Sequence, residues 1–281
     1  MFKRKLRAVT LLAALLAGLF CWAGCGRTGL SRLTVTFLKA GKADAAVLTA
    51  GRETMVIDTG ETDDSDDMIS FLQKAGVSQI DVLIVTHFDK DHVGGAAELL
   101  AMFTVHRVIV PAYTADSEEY NAFTTMMDVF GITPEALTEN AAFTLGVCEV
   151  LVEPPADYTI AGTSDDADNE LSLITTVTHG DVRLLFTGDA ENGRLSEWLS
   201  GGNAQPCDLV KMPHHGVYGG MQKYLLETVL PKYAVICDSE KNPADEKTLA
   251  LLAERGIAVF ETKNGNVTAV SNGSTLTVTQ G

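Results

Sequence analysis

Residues 84–95 read Ile-Val-Thr-His-Phe-Asp-Lys-Asp-His-Val-Gly-Gly, and no other stretch constrains the chain as tightly. His87, Asp89, Asp91 and His92 fall within six positions, and all four are metal-ligand types. An apolar run, Val82 to Val85, precedes them and Gly94-Gly95 follows. A buried strand that ends in a tight loop delivers its side chains together, which is how a compact metal site is built. A merely acidic loop rarely places two His and two Asp in the order H-x-D-x-D-H directly after such a strand.

Four ligands cannot complete two metal sites alone. Two further clusters follow apolar strands: Leu185-Phe186-Thr187-Gly188-Asp189-Ala190-Glu191 and Val210-Lys211-Met212-Pro213-His214-His215-Gly216. Each strand is expected to carry its polar tip to the same sheet edge.

The 281 residues, 46% of them hydrophobic, suffice for one large domain or two small ones. Alternation at Leu33, Val35 and Phe37 predicts a half-buried strand, and 45–48, 54–58, 80–86, 105–110, 147–152, 171–178 and 182–186 read as further strands. Helices are expected over 68–75, 96–103 and 116–130. Beyond 190, helices at 191–199, 221–230 and 246–255 alternate with strands at 209–212, 233–237 and 257–261. Asn264-Gly265 and Asn272-Gly273 read as hairpin turns, with closing strands at 267–270 and 275–279. The pattern fits an α/β architecture of two sheets with helices on their outer faces.

The formal net charge of −16 opposes nucleic acid and anionic lipid at long range. The start of the chain is different. Lys3, Arg4, Lys5 and Arg7 precede an apolar run from Ala8 to Trp22, as in a secretion signal. The run ends Trp22-Ala23-Gly24-Cys25, which resembles a bacterial lipobox. On that resemblance residues 1–24 are a signal peptide, Cys25 is lipidated, 25–32 form a short tether and 33–281 the functional domain. The mature protein would then sit outside the cytoplasm, anchored to the membrane by lipid. Cys148, Cys207 and Cys237 lie in apolar contexts and offer no disulfide framework; they read as small buried hydrophobes.

The order H-x-D-x-D-H-x-G-G, T-G-D, P-H-H-G resembles the metallo-β-lactamase superfamily, and within it the branch containing the ComEC competence hydrolase domain. Gly41-Lys42-Ala43-Asp44-Ala45 is similar to that branch's early G-x-x-D-A turn, and Val56-Ile57-Asp58-Thr59-Gly60 to the superfamily's first motif. The resemblance implies a four-layer αββα sandwich and a dinuclear site holding two divalent ions, Zn²⁺ or Mn²⁺. By the same resemblance His87 and Asp89 bind the first ion, and Asp189 bridges both. Asp91, His92 and one of His214 and His215 bind the second. His215 is favoured because the ligand stands directly before the final Gly. Asp91 and Asp189 are the expected catalytic carboxylates, with Asp58, His214 and Asn169 as supporting groups or alternative ligands. Two such ions lower the pKa of a shared water, supplying hydroxide near neutral pH.

The chain departs from the superfamily's commonest pattern. Asp89 replaces the middle His of H-x-H-x-D-H, a change toward hard oxygen ligands that suits Mn²⁺ or Mg²⁺. No His lies between 107 and 178 to complete the first site; the candidate region is 168–172. Val217-Tyr218-Gly219-Gly220 follow the H-H-G where the branch often has Ser. The expected activity is metal-dependent hydrolysis of a phosphodiester or other phosphate-containing small molecule, with nucleic acid entering only as a substrate. A β-lactam, lactone or thioester hydrolase at the same metals is the enzymatic alternative. A surface lipoprotein that only binds is the non-enzymatic one.

Overall fold

The computed structural model describes residues 31–160 and 167–281, and residues 31–281 group as one compact unit. The expected signal peptide, most of the tether and the lipidation residue Cys25 lie outside the described residues.

The first sheet begins with an antiparallel meander, β1 (Leu33–Phe37), β2 (Ala45–Ala50) and β3 (Glu53–Thr59). Helix α1 (Ser65–Lys74) follows, opening on Asp66 and Asp67, whose carboxylates meet the positive end of its dipole. Then come β4 (Gln79–Ile80), β5 (Val82–Ile84), the short α2 (Lys90–Val93), α3 (Ala96–Met102), β6 (Thr104–Val105) and β7 (Val108–Pro111). Helix α4 (Glu118–Phe130) is punctuated at both ends. Ser117 Oγ accepts the Tyr120 N–H at 3.1 Å, and Gly131 closes the helix at φ 65°, the left-handed conformation glycine adopts without strain. β8 (Glu135–Leu137) completes the first half.

The second sheet holds β9 (Ala141–Leu145), β10 (Cys148–Glu153), β11 (Ile174–His179) and β12 (Val182–Phe186), all antiparallel. Parallel crossovers through α5 (Asn192–Ser200), α6 (Gln222–Val229) and α7 (Glu246–Glu254) add β13 (Leu209–Lys211), β14 (Tyr233–Ile236) and β15 (Ala258–Glu261). The chain then returns to the first sheet with β16 (Val267–Ser271) and β17 (Leu276–Gln280). The first sheet runs β17-β16-β1-β2-β3-β5-β7-β8, the second β15-β14-β13-β12-β11-β10-β9, and β4 pairs with β6 apart from both.

Three apolar clusters make the layers. One lies between the sheets, where Phe37 of β1 stacks on Phe186 of β12 with ring centroids 5.6 Å apart. A second packs α1, α3 and α4 on the first sheet through Met68, Leu72, Leu99 and Phe123. A third packs α5 and α6 on the second through Leu195, Trp198, Leu225 and Leu226. This is the expected αββα sandwich. Among the described residues no helix is long and apolar enough to cross a membrane.

Some element boundaries differ from the sequence reading. The expected strand 80–86 breaks at Asp81, whose carboxylate accepts the Thr54 N–H at 2.7 Å while its own N–H donates to Thr54 O at 2.8 Å. The residues before the break therefore pair with β6 and those after it with β3 and β7. The expected strand 105–110 splits at His106-Arg107 for the same reason. Asn264-Gly265 is no hairpin turn, because it joins β15 of one sheet to β16 of the other; Asn272-Gly273 does join an antiparallel pair.

Candidate metal centre

The tip of β5 in the first sheet and the tips of β12 and β13 in the second converge at one end of the sandwich. The three motifs thus come from two facing sheets rather than from the single sheet edge expected from the sequence. Asp44, His92, Asp189 and His215 are all buried, and each offers a ligand atom within 4.8 Å of the others.

The three histidines are fixed from behind. Asp58, at φ 56°, accepts the Thr86 N–H and Oγ–H, each at 2.7 Å, and its Oδ2 lies 2.8 Å from His92 Nδ1. His215 Nδ1 donates to Cys237 O at 3.0 Å. His87 Nδ1 lies 3.1 Å from Thr86 Oγ1 and 3.4 Å from Ser172 Oγ. Each ring therefore commits Nδ1 to the protein, while the Nε2 atoms of His87, His92 and His215 are buried and make no hydrogen bond of good geometry. A buried nitrogen left without a partner is costly, and an imidazole held through Nδ1 with Nε2 facing inward is the usual posture of a metal ligand. The donor set thus fits a divalent cation.

The carboxylates face those nitrogens. Asp189 Oδ2 lies 2.9 Å from His215 Nε2 and its Oδ1 3.3 Å from His92 Nε2, placing Asp189 between the two rings. Asp91 Oδ2 is 3.3 Å from His215 Nε2, and Asp89 Oδ2 is 3.6 Å from His87 Nε2. The His87 and His92 rings are 4.0 Å apart at their centroids, so the two halves of the site adjoin. Ser172 turns its hydroxyl toward His87 and accepts the Asp189 N–H at 3.1 Å. Asp168 faces Asp89 and His87; burial pushes its carboxyl up despite a hydrogen bond from Tyr113.

His214 stands apart from this convergence. It is strained at φ 46°, and its Nδ1 lies 3.1 Å from Glu191 Oε1. Asn169 Nδ2 donates to the same oxygen at 3.1 Å, so both of these alternative ligands turn to Glu191. A cavity of about 70 Å³ beside them is lined by Asn192, His214 and Tyr218 among others. A larger one, about 510 Å³, lies on the helix side of the second sheet against Phe143, Arg183 and Trp198, away from the cluster. Helix α5 is capped by Glu170, which accepts the Gly193 N–H at 2.8 Å and the Arg194 N–H. His179 is buried with Nδ1 2.9 Å from Ser271 Oγ.

Two participants escaped the sequence reading. Asp44 read as part of a turn motif, yet its carboxylate enters the cluster. Lys211 is buried in β13 and donates to Gly188 O at 2.9 Å, to Asp189 Oδ1 at 3.2 Å and to Asp44 Oδ2. The signal was available: a Lys inside an apolar strand has to find an anion. Burial pushes its pKa down, but Asp44 and Asp189 outweigh that and raise it.

The buried charges of the cluster compensate one another. Burial pushes the Asp189 carboxyl up, yet His215, His92 and Lys211 hold it well below its ordinary range. Burial likewise raises Asp91, and the adjacent His215 and His92 reverse the shift. Burial lowers His92 and His215, while Asp189 beside each lifts them above the ordinary 6.5. A group whose folded pKa is raised stabilises fully below its unfolded value and loses that contribution as pH climbs through the folded one. The metal-free protein is therefore expected to lose stability from about pH 6.5 upward. Denaturant melts in chelator at about pH 6 and about pH 9 check this, and a protein more stable at the higher pH contradicts it.

The comparisons agree with the geometry. Two facing sheets flanked by helices carry a candidate metal-binding His/Asp cluster at one end. Residues 38–157 match the family model of the metallo-beta-lactamase superfamily. The chain is 26% identical over 205 residues to ComE operon protein 3 of Bacillus subtilis, covering 71% of this chain and 26% of that protein. It is 26% identical over 217 residues to Recombination protein 2 of Haemophilus influenzae, covering 74% and 24%. The chain thus spans about a quarter of the length of these relatives. Among solved structures, the metallo-beta-lactamase fold protein YhfI of Bacillus subtilis superposes with a TM-score of 0.54 at 9% identity, over 88% of this chain and all of that one. Residues 38–157 thus resemble the metallo-beta-lactamase superfamily, whose members are generally hydrolases, and the chain is similar to ComEC-like proteins at 26% identity.

Proposed function

We propose that the protein is a two-metal hydrolase acting on a phosphodiester or other phosphate-containing substrate, tethered outside the cytoplasm through Cys25. The observation that carries this reading is the inward convergence of three buried Nε2 atoms that make no hydrogen bond: those of His92 and His215 face Asp189 and Asp91, and that of His87 faces Asp89. The tether rests on the basic start, the apolar run and the Cys25 motif.

His87 and Asp89 would hold one cation; Asp91, His92 and His215 would hold the other, with Asp189 shared. When bound, the two ions supply an activated water and positive charge for the developing oxyanion. The protein's own contribution is preorganisation. Asp58 and Thr86 lock the His92 ring, the Cys237 carbonyl locks His215, and Ser172 fixes both His87 and the Asp189 backbone. Three carboxylates among six ligands favour hard cations, which also bind phosphoryl oxygens. Burial and the nearby Asp44 push the Cys237 thiol well above its ordinary range, which disfavours the thiolate.

The full chain supplied with Mn²⁺ or Zn²⁺ is expected to hydrolyse an aryl phosphodiester. Chelator should stop the reaction and fresh metal should restore it. Hydrolysis that survives chelation refutes the mechanism, and faster turnover of a chromogenic β-lactam reverses the choice of substrate.

A further inference from the structure

A cation stands at the rim of the cluster that none of these roles uses. Lys42 lies in the turn between β1 and β2, where Gly41 takes φ 63°. Two backbone hydrogen bonds fasten this turn to the site. The Asp44 N–H donates to Asp91 O at 3.0 Å, and the Gly60 N–H donates to Asp44 O at 2.8 Å. Asp44 sends its carboxylate inward to Lys211. Two residues earlier, Lys42 places Nζ 3.8 Å from Asp91 Oδ2, with its side chain 31% exposed.

The neighbouring lysines are committed elsewhere. Lys211 is buried against Asp44 and Asp189. Lys90 is well exposed and lies 3.5 Å from Glu61. Lys42 is held less firmly, since 3.8 Å is too long for a hydrogen bond. Asp91, the carboxylate it faces, is also one that a metal ion would claim. An ammonium has three donors, and this one, half-buried at the mouth, can turn to a ligand at small desolvation cost. In a chain of net charge −16, which repels anions at long range, a lysine beside the reacting centre has an evident use.

We infer that Lys42 anchors an anionic phosphoryl oxygen of the substrate and so selects phosphate-bearing substrates over neutral esters. This rests on the hydrolase reading above.

The test is calorimetric binding of inorganic phosphate to the Mn²⁺-loaded full chain, with metal content measured in parallel. Lys42→Gln is expected to weaken phosphate binding about tenfold, the worth of one charge-assisted hydrogen bond. Lys42→Arg, which keeps the charge, should stay within about threefold of the wild type, and both variants should retain their metal. Equal phosphate affinity in Lys42→Gln and wild type overturns the inference alone. Loss of metal from Lys42→Gln also overturns it, since the residue would then serve the ligands rather than the substrate. If the wild type binds no phosphate, the phosphate reading of the function falls, and the anchor with it.

Discussion

Asp189→Ala should stop hydrolysis and empty the site. The carboxylate is 2% exposed, and its two oxygens face His215 Nε2 at 2.9 Å and His92 Nε2 at 3.3 Å. Asp44, the other carboxylate near both rings, faces their Nδ1 atoms at 3.9 and 3.4 Å and so does not replace it. A fall in rate of at least about 10²–10³-fold is expected, comparable to losing a principal electrostatic contact at a reacting centre. The change also strips the counter-charge from His92, His215 and Lys211, so the variant should bind metal poorly. Asp189→Asn, nearly the same shape without the charge, separates these effects: it should fold but fail to hold two ions. Rates on the aryl phosphodiester and metal counts on the same samples check both. Activity within tenfold of the wild type would remove Asp189 from the mechanism.

Lys211→Met is the second large effect, and it acts on stability. The ammonium is 2% exposed and bonded to Gly188 O, Asp189 and Asp44. Removing one partner of a buried ion pair leaves the other charge without compensation and typically costs about 3–5 kcal/mol. That cost belongs to the metal-free protein. A divalent ion at Asp189 supplies part of the missing charge, so saturating Mn²⁺ should recover a good fraction of it. Denaturant midpoints of wild type and variant, in chelator and in Mn²⁺, measure the difference. An equal loss under both conditions would mean that the lysine supports only the fold. No loss under either would mean that the buried pair is not what holds Asp44 and Asp189 in place.

These residues also show what a sequence reveals and what it hides. The 84–95 loop, the T-G-D turn and the P-H-H-G turn were legible because each is an apolar strand that ends abruptly in ligand-type side chains. The layered αββα arrangement was legible from the same punctuation, since helix and strand periods alternate cleanly after residue 190. Asp44 was hidden because a G-x-x-D-A turn looks the same whether its carboxylate faces solvent or a metal site; only the tertiary clamp from Asp91 O decides. The strand breaks at Asp81 and His106-Arg107 depend on which distant strand each half pairs with, which local propensity cannot specify. β8 and β9 are short and carry few β-branched residues, so they gave little signal. Glu191 stands directly before a helix, yet Glu170 takes the helix N–H groups and leaves Glu191 to His214 and Asn169. Two acidic residues 21 positions apart offer no local clue to that division.

The most direct test of the account is the number of divalent ions held per chain, by mass spectrometry on full-length protein dialysed against Mn²⁺ or Zn²⁺ and then freed of loose metal. Close to two ions per chain, falling sharply in Asp189→Ala, is the predicted result. A correctly folded wild type that retains no metal would contradict the central claim that these histidines and carboxylates form a metal centre.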